Sequence, residues 1–474
     1  MVDIKKLNRQ MEKFDLLVVG SGPGGYVAAI RASQLGMNVA VVERTEVGGI
    51  CLNWGCIPTK ALLKSAQALH YANHAADYGF SVESIQADIE KVVERSRGVA
   101  SQMSKGVQFL FKKNKIKLIE GSAYLKAANI VEVTSKDSQI TEYKADKIIL
   151  ATGARPSCLP FAPIDGQKII SYRQALVPKT LPKSLAVMGS GAIGSEFAYF
   201  YHSMGVETVY LIEYLDRIVP LEDNDVSAQL SRSFRKAGIK VMVSSAVKSV
   251  DISGEGVVLK VDTKKGEQTI EVERLLSAVG VRPNTEKIGL EDLGAKMERG
   301  KLIVDDKYMT SVKGIYAIGD IIPTQALAHV ASAEAINCVE QIAGVETRAV
   351  NYDNIPGCTY TSPEVASCGI TERIAKERGI NYKIGKFPFT ASGKATAAGE
   401  RDGFVKLIID ADTDKVLGAH LIGGSVTEMI AGIVTGRNLG VTAMDLIHSV
   451  HPHPTMSEAI MEAAADSHNE SIHI

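Results

Sequence analysis

One strand–turn–helix–strand unit is written twice in this chain, and that duplication restricts its fold more than any other feature. The first copy runs from Phe14-Asp15-Leu16-Leu17-Val18-Val19 into Gly20-Ser21-Gly22-Pro23-Gly24-Gly25, then a helical stretch from Tyr26 to Leu35 and the strand Val39-Ala40-Val41-Val42-Glu43. The second runs from Leu185-Ala186-Val187-Met188 into Gly189-Ser190-Gly191-Ala192-Ile193-Gly194, a helix to about Met204 and the strand Val209-Tyr210-Leu211-Ile212-Glu213. In each, an apolar strand enters G-x-G-x-x-G, and a second strand ends in Glu 23 or 24 residues after the first glycine. With strand, helix and terminal acid all present, this is the dinucleotide fingerprint of a parallel sheet. Gly20, Gly22 and Gly25, and again Gly189, Gly191 and Gly194, turn the chain and let N–H groups approach a pyrophosphate at a helix N-terminus, whose partial positive charge favours the anion. Glu43 and Glu213 accept from ribose hydroxyls. Two dinucleotides are therefore expected. A carboxylate at Glu213 repels a 2′-phosphate and Tyr214-Leu215-Asp216 offer no basic clamp, so the second site is expected to prefer NAD over NADP; Arg217 is the nearest cation that could oppose this.

Thirteen residues between the two copies carry a different chemistry. Gly48-Gly49-Ile50-Cys51-Leu52-Asn53-Trp54-Gly55-Cys56-Ile57-Pro58-Thr59-Lys60 places two thiols five positions apart. An ideal helix would hold such positions roughly 8–9 Å apart at Cα, beyond the ~7 Å that a disulfide bridges. An oxidised pair therefore needs a break in the helix. Gly55 permits one, and Pro58 suits the first turn of a helix continuing through Lys64. A short, distorted disulfide at a helix start is expected to be easily reduced.

Bulk composition narrows the partners. At roughly 150 residues per domain, 474 residues suggest three or four domains. With 53 basic against 54 acidic side chains and a pI near 6.8, no field draws in nucleic acid or anionic lipid, so small-molecule and protein partners are expected. Met1 to Gln10 carry no apolar segment of signal-peptide length, and no apolar run approaches the ~18 residues of a membrane span; a cytoplasmic location is expected. Six cysteines are too sparse for a structural disulfide framework, which leaves Cys158, Cys338, Cys358 and Cys368 as thiols. No metal site is expected.

Lys147-Ile148-Ile149-Leu150-Ala151-Thr152-Gly153-Ala154-Arg155-Pro156 reads as a buried strand closed by a turn, and the stretch from Ser277 through Gly280 to Asn284 repeats that design. Each marks an exit from a nucleotide domain. A third such strand, Gly314 to Gly319, ends in Asp320, an acid able to hold a sugar or ribityl hydroxyl. Beyond about residue 350, strands and helices alternate without a glycine fingerprint.

Taken with the C-terminal His451-Pro452-His453-Pro454-Thr455-Met456-Ser457-Glu458, these motifs make nearly the whole chain resemble the flavin-dependent pyridine nucleotide–disulfide oxidoreductases, and within them the dihydrolipoyl dehydrogenase branch. The resemblance implies an α/β fold with two Rossmann-like dinucleotide-binding domains, a small central domain and a C-terminal α+β dimerisation domain. Residues 1–155 would bind FAD and carry the redox disulfide, 156–283 would bind NAD, 284–350 would complete the FAD site and 351–474 would form the dimer interface. It implies that Cys51 exchanges with dihydrolipoamide while Cys56 faces the flavin, that Lys60 lies near flavin N5 and pairs with Glu196, and that Asp320 binds the ribityl chain. Gly153 and Gly280 would line the two cofactor sites. The helix opening at Leu327-Ala328-His329 would face the flavin C2 carbonyl, where a helix N-terminus stabilises negative charge. His453 would be the acid–base group, supplied by the second subunit of a homodimer, and Glu458 its orienting acid. The partner would be the lipoyl domain of an acyltransferase or of a glycine cleavage carrier protein. Ile50 and Trp54 stand where many relatives carry Thr and Val.

His453 also has a plain reading, as a surface-loop histidine beside prolines, and Thr455-Met456-Ser457-Glu458 is a capping box in which Glu458 reaches back to the Thr455 N–H. Both roles of Glu458 coexist only if its carboxylate is shared. A dithiol near neutral pH is mostly protonated, and exchange needs thiolate, so a base of imidazole type is required. Glutathione reductase would need basic residues after Glu213; high-molecular-weight thioredoxin reductase and mercuric reductase would need a C-terminal thiol pair, and the tail from Ser467 to Ile474 has no cysteine. An inactive flavoprotein kept as an interaction subunit would leave the register of both cysteines, His453 and Glu458 unexplained.

Overall fold

A computed structural model describes residues 11–474; the N-terminal stretch Met1 to Gln10 lies outside the described residues. The chain divides into two compact units. The first comprises the described part of Met1–Ala61 together with Glu94–Pro156 and Val281–Val350, and the second comprises Leu62–Val93, Ser157–Gly280 and Asn351–Ile474.

In the first unit β1 (Glu12–Val19), α1 (Pro23–Gln34) and β2 (Val39–Glu43) form the first fingerprint, with β1 and β2 parallel and Leu16 opposite Val39. The short helix α2 (Gly49–Trp54) leads into α3 (Cys56–Asn73), and beyond it lies the 25-residue α4 (Ile89–Lys113). The sheet continues with β3 (Lys117–Glu120), β4 (Ser122–Ala127), β5 (Ile130–Thr134) and β6 (Ile140–Leu150), in the order β3-β2-β1-β6-β5-β4. Strands β1, β2, β3 and the end of β6 are parallel, and the near-continuous apolar runs of β1, β2 and the end of β6 are buried on both faces, as a parallel sheet demands.

The strand Ile315–Ala317, far along the chain, joins this sheet by pairing in parallel with Ile148–Leu150 of β6. It therefore belongs to the same layer as the first fingerprint. The repeated exits also meet: Ala154–Pro156 and Val281–Pro283 pair antiparallel, with Arg282 opposite Arg155.

The second unit contains the second fingerprint in a five-stranded, all-parallel sheet built from Ser184–Met188, Thr208–Ile212, Lys240–Met242, Arg274–Ser277 and Ile169–Ile170. A three-stranded antiparallel sheet, Ala246–Asp251, Val257–Thr263 and Gly266–Val272, is inserted before its last strand. From Gly357 onward five antiparallel strands form a separate sheet, against which the helices Val426–Leu439 and Glu458–Asp466 pack around Leu407, Leu421, Ile430 and Ile460. Among the described residues no helix is long and apolar enough to cross a membrane.

Candidate functional site

The two fingerprints have the same geometry, glycine by glycine. Gly20 and Gly189 stand at φ +99° and +98°, and a Cβ on either would lie 2.3 Å from Ala151 O or 2.5 Å from Ala278 O. A Cβ on Gly25 or Gly194 would lie 1.9 Å from the Gly20 or Gly189 oxygen. These four glycines are required by turning and packing of the chain itself. The middle glycines are different: around the Cβ position of Gly22 and of Gly191 there is no protein atom within 4 Å. A Cβ there would stand in open space, at a helix N-terminus that no side chain caps. That is the cradle a pyrophosphate needs.

The acids are held in matching fashion. Ser21 donates to Glu43 Oε2 from both its N–H (2.9 Å) and its hydroxyl (2.7 Å). Ser190 does the same to Glu213 Oε2, at 2.9 and 2.7 Å. The second oxygen accepts from Thr45 N–H in one copy and Leu215 N–H in the other. The carboxylates are thus fixed at the ends of their strands before any ribose arrives. Arg217, the cation nearest to a 2′-phosphate in sequence, donates instead to Asp216 at 2.8 Å and to Asn224.

Around the first fingerprint the chain returns at Gly153 and again with the strand Ile315–Ala317. Gly153 comes after β6 at φ +66°, open to space, with its carbonyl accepting from Asn284 N–H at 2.8 Å. In the second unit Gly280 takes φ +106°, likewise open, and accepts from Ser157 N–H at 2.9 Å. The strand Ile315–Ala317 delivers the turn Gly319–Ile321, where burial raises the Asp320 carboxyl and Lys301 opposes the rise. Sequence reasoning missed the residue that fixes this turn: Glu334, fully buried, accepts from the Gly319 N–H at 2.7 Å. It lies on the helix Ala328–Ile342, whose N-cap Leu327 is extended and without a side-chain cap, and whose first two residues are Ala328 and His329. Its only signal is an acid, Glu334, among the small and apolar residues of the first half of that helix.

The thiol pair sits where the helix breaks. Cys51 is in α2, Gly55 interrupts the helix at φ −147°, ψ −118°, and Cys56 opens α3, with Pro58 in its first turn. The segment is anchored to the fingerprint: Gly48 N–H donates to Ser21 O (3.1 Å) and Oγ (3.2 Å), and Gly49, at φ +61°, lies so close to Gly22 that a Cβ would come within 2.7 Å of its Cα. Both cysteines are present as thiols, Cys51 half-buried and Cys56 exposed. A hydrogen bond with Cys56 and then burial push the Cys51 thiol well up, while the nearby Lys60 ammonium pulls it down. Burial and the Cys51 charge also raise Tyr26 at the start of α1.

In the second unit Glu196 is buried on the fingerprint helix Ala192–Ser203 and accepts from Tyr360 N–H at 3.0 Å. His453 is exposed, and its Nδ1 lies 2.8 Å from Glu458 Oε1; Glu458 Oε2 accepts from Thr455 N–H at 2.7 Å. The carboxylate is shared, one oxygen to each role. Partial burial alone would raise the Glu458 carboxyl, but the Thr455 N–H and the His453 ring hold it below the usual carboxylate range. The capping box is only half formed, because Thr455 Oγ1 turns away to donate to Pro452 O and the helix begins at Glu458. His451 Nδ1 is 2.8 Å from Ser449 O.

Two cradled fingerprints and a thiol pair anchored to one of them define a dinucleotide-binding disulfide oxidoreductase. The family model "Pyridine nucleotide-disulphide oxidoreductase" matches residues 14–335, and the dimerisation domain of the same family matches 355–464. The chain belongs to the pyridine nucleotide–disulphide oxidoreductases. It is 47% identical to a dihydrolipoyl dehydrogenase of Rhizobium etli, over 96% of this chain and 98% of that protein. It is 45% identical to one of Zymomonas mobilis (98% and 99% covered) and 40% identical to one of Bacillus subtilis (97% and 99%). Among solved structures, LpdA from Mycobacterium tuberculosis superposes with a TM-score of 0.88 at 27% identity, covering 96% of this chain and 99% of that one. The HOCl-induced flavoprotein disulfide reductase RclA from Escherichia coli, as its Cu(II) complex, superposes with 0.86 at 25% identity, covering 96% and 99%.

Proposed function

We propose that the chain is a dihydrolipoyl dehydrogenase, oxidising protein-bound dihydrolipoamide with reduction of NAD+ to NADH. The observation that carries this reading is the Cys51–Cys56 thiol pair, hydrogen-bonded across the Gly55 break and tied through Gly48 to the first fingerprint. Residues 1–155 would hold FAD with the redox pair, 156–283 NAD, 284–350 would complete the flavin site, and 351–474 would join two chains into a homodimer. The open cradles at Gly22 and Gly191 and the fixed carboxylates Glu43 and Glu213 fit the two dinucleotides. FAD supplies two-electron exchange between a dithiol and the nicotinamide of NAD, keeping thiol and hydride chemistry apart.

The chain's own groups do the thiol work. His453, oriented by Glu458, takes the proton from one thiol of the dihydrolipoyl group. The thiolate attacks Cys51 Sγ, the Cys51–Cys56 bond breaks, and Cys56 leaves as thiolate at the α3 N-terminus, whose partial positive charge favours it. The second lipoyl thiol then attacks the lipoyl sulfur of the mixed disulfide and its proton passes to the departing Cys51 sulfur, so oxidised lipoamide leaves and both electrons remain on the cysteines. Lys60 keeps a cation beside the dithiol, and Asp320 would hold a ribityl hydroxyl of FAD. His453 acts on the partner chain's thiols. The lipoyl group is carried by an acyltransferase or a glycine cleavage carrier protein, met in the cytoplasm.

The test is lipoamide-dependent turnover of NADH by the purified yellow protein, together with a long-wavelength thiolate-to-flavin absorbance band at two electrons per subunit. Loss of the band in Cys56→Ser is expected. A folded, yellow protein with neither turnover nor band overturns the reading.

A further inference from the structure

Three consecutive side chains of α4 reach back to the thiol segment. Arg95 donates to Ala61 O at 2.8 Å, the fully buried Ser96 donates to Pro58 O at 2.9 Å, and Arg97 donates to Asn53 O. Successive helical side chains point about 100° apart, so one turn of α4 spans the Gly55 break, with Arg97 on α2 and the other two on α3. On the α2 side the hold is reinforced. The Arg97 guanidinium lies over the Trp54 ring, 4.3 Å from its centroid, and Trp54 Nε1 donates to Glu46 Oε1 at 3.2 Å. Asn53 O is among the last carbonyls of α2, which have no partner within their own helix; Arg97 supplies one.

We propose that Trp54 and Arg97 are positioning residues that set the poise of the cysteine pair. By clamping the end of α2 against α4, they hold Cys51 at a fixed distance from Cys56, whose own helix is held independently by Ser96 and Arg95. Reduction adds two electrons and two protons to the disulfide and gives two thiols. A clamp that keeps the thiols together raises their effective concentration and favours the disulfide, so removing it makes the pair easier to reduce. The inference rests on the pair being redox-active as proposed above. Trp54 is the one tryptophan of the chain and lies three residues after Cys51 and two before Cys56, so its emission reports on this site alone.

The test equilibrates the full-length, flavin-loaded protein in dithiothreitol redox buffers, traps free thiols with iodoacetamide and counts them by mass spectrometry. Trp54→Val and Arg97→Gln are each expected to shift the dithiol–disulfide equilibrium about tenfold toward dithiol, a rise of about 30 mV for a two-electron couple. Trp54→Phe keeps the ring under the guanidinium and loses only the bond to Glu46, so its shift is expected to be smaller. The Trp54→Val/Arg97→Gln double variant should shift little further than either single, because both remove one clamp. In the wild type the tryptophan emission should change with the same midpoint. Variants that retain flavin and melting temperature yet keep the wild-type midpoint overturn the inference. A wild type whose two cysteines never become protected from alkylation in oxidising buffer overturns the functional reading instead.

Discussion

The two fingerprints match each other, and they part company only in the chain downstream of each. Their glycines, serines and acids superimpose in function: φ near +99° at the first glycine, an open middle glycine, and a serine that gives two hydrogen bonds to one carboxylate oxygen. After Glu43, the chain folds back so that Gly48 bonds to Ser21 and Gly49 packs on Gly22, which brings the thiol segment to the fingerprint. After Glu213 it turns away through the exposed Tyr214 and Leu215, with Ser244 N–H donating to Leu215 O at 2.6 Å. One motif thus serves two purposes. On the proposed function, the first copy would be a cofactor site with a reactive pair attached, and the second a cofactor site alone.

The strongest way to break this comparison is to fill each cradle. Gly22→Val and Gly191→Val introduce side chains where no protein atom lies within 4 Å, so both chains should fold. Gly22→Val is expected to purify colourless and inactive. Gly191→Val should stay yellow and form the long-wavelength band with dihydrolipoamide, yet fail to reduce NAD+. A colourless Gly191→Val or a yellow Gly22→Val would reverse which copy holds the flavin.

The thiols belong to the first copy and His453 to the second unit, and the dimer reading joins them across two chains. Cys51→Ser and His453→Ala should each lose activity by at least the roughly 10²–10⁴-fold typical of a lost acid–base group. After subunit exchange of equal amounts, half the dimers are mixed and each has one intact site of two, so roughly a quarter of wild-type activity should return. If mass spectrometry shows exchange and activity stays at the level of the single variants, His453 serves its own chain.

The local character of each feature decides how legible it is in the sequence. The fingerprints, the break at Gly55 and the shared Glu458 are readable because turn chemistry and helix geometry act within a few residues. The α4 brace is not: Arg95, Ser96 and Arg97 are separated from the residues they hold by 34, 38 and 44 positions, inside an ordinary amphipathic helix. Nor is the pairing of Ile315–Ala317 with β6, since Asp320 reads as a strand end but nothing local names its neighbour. The full capping box expected at Thr455 fails for a local reason, because Thr455 Oγ1 finds the Pro452 carbonyl instead.

A buried ion cluster in the second unit is equally hidden, being assembled from three distant segments. Lys406, 1% exposed, lies 2.9 Å from Asp223, 3.2 Å from Asp225 and 2.7 Å from Glu372. Burial alone would raise these carboxyls; Lys406 and the neighbouring cations outweigh it, lowering all three, Glu372 to about 2. A carboxyl whose folded pKa is depressed stabilises the fold above its unfolded pKa, and that stability is lost as pH falls through the folded value. Wild-type stability should therefore decline from about pH 4 toward pH 2. Lys406→Met leaves Asp223 buried without its cation and should cost about 3–5 kcal/mol at pH 7. The deficit should shrink on acidification. Denaturant melts at pH 7 and pH 4 check this, and an equal deficit at both would remove the electrostatic explanation.

The smallest expected effect sharpens the comparison most, because it separates two acids in matching positions. Glu213 should favour NAD over NADP by more than about tenfold in kcat/KM, about 1.4 kcal/mol of transition-state discrimination. Glu43 occupies the same place in the other copy and should have no influence on that ratio. Glu213→Ser should narrow the preference by removing the charge that repels a 2′-phosphate, without yet supplying a partner for it. Arg217 is the candidate partner, but Asp216 and Asn224 engage it. Adding Asp216→Ser should release the guanidinium and move the ratio further toward NADP, whereas Asp216→Ser alone should do little while Glu213 still repels the phosphate. Steady-state kinetics with both nucleotides decide the matter, and a Glu213→Ser enzyme with the wild-type ratio would mean that the carboxylate Ser190 holds in place does not read the ribose.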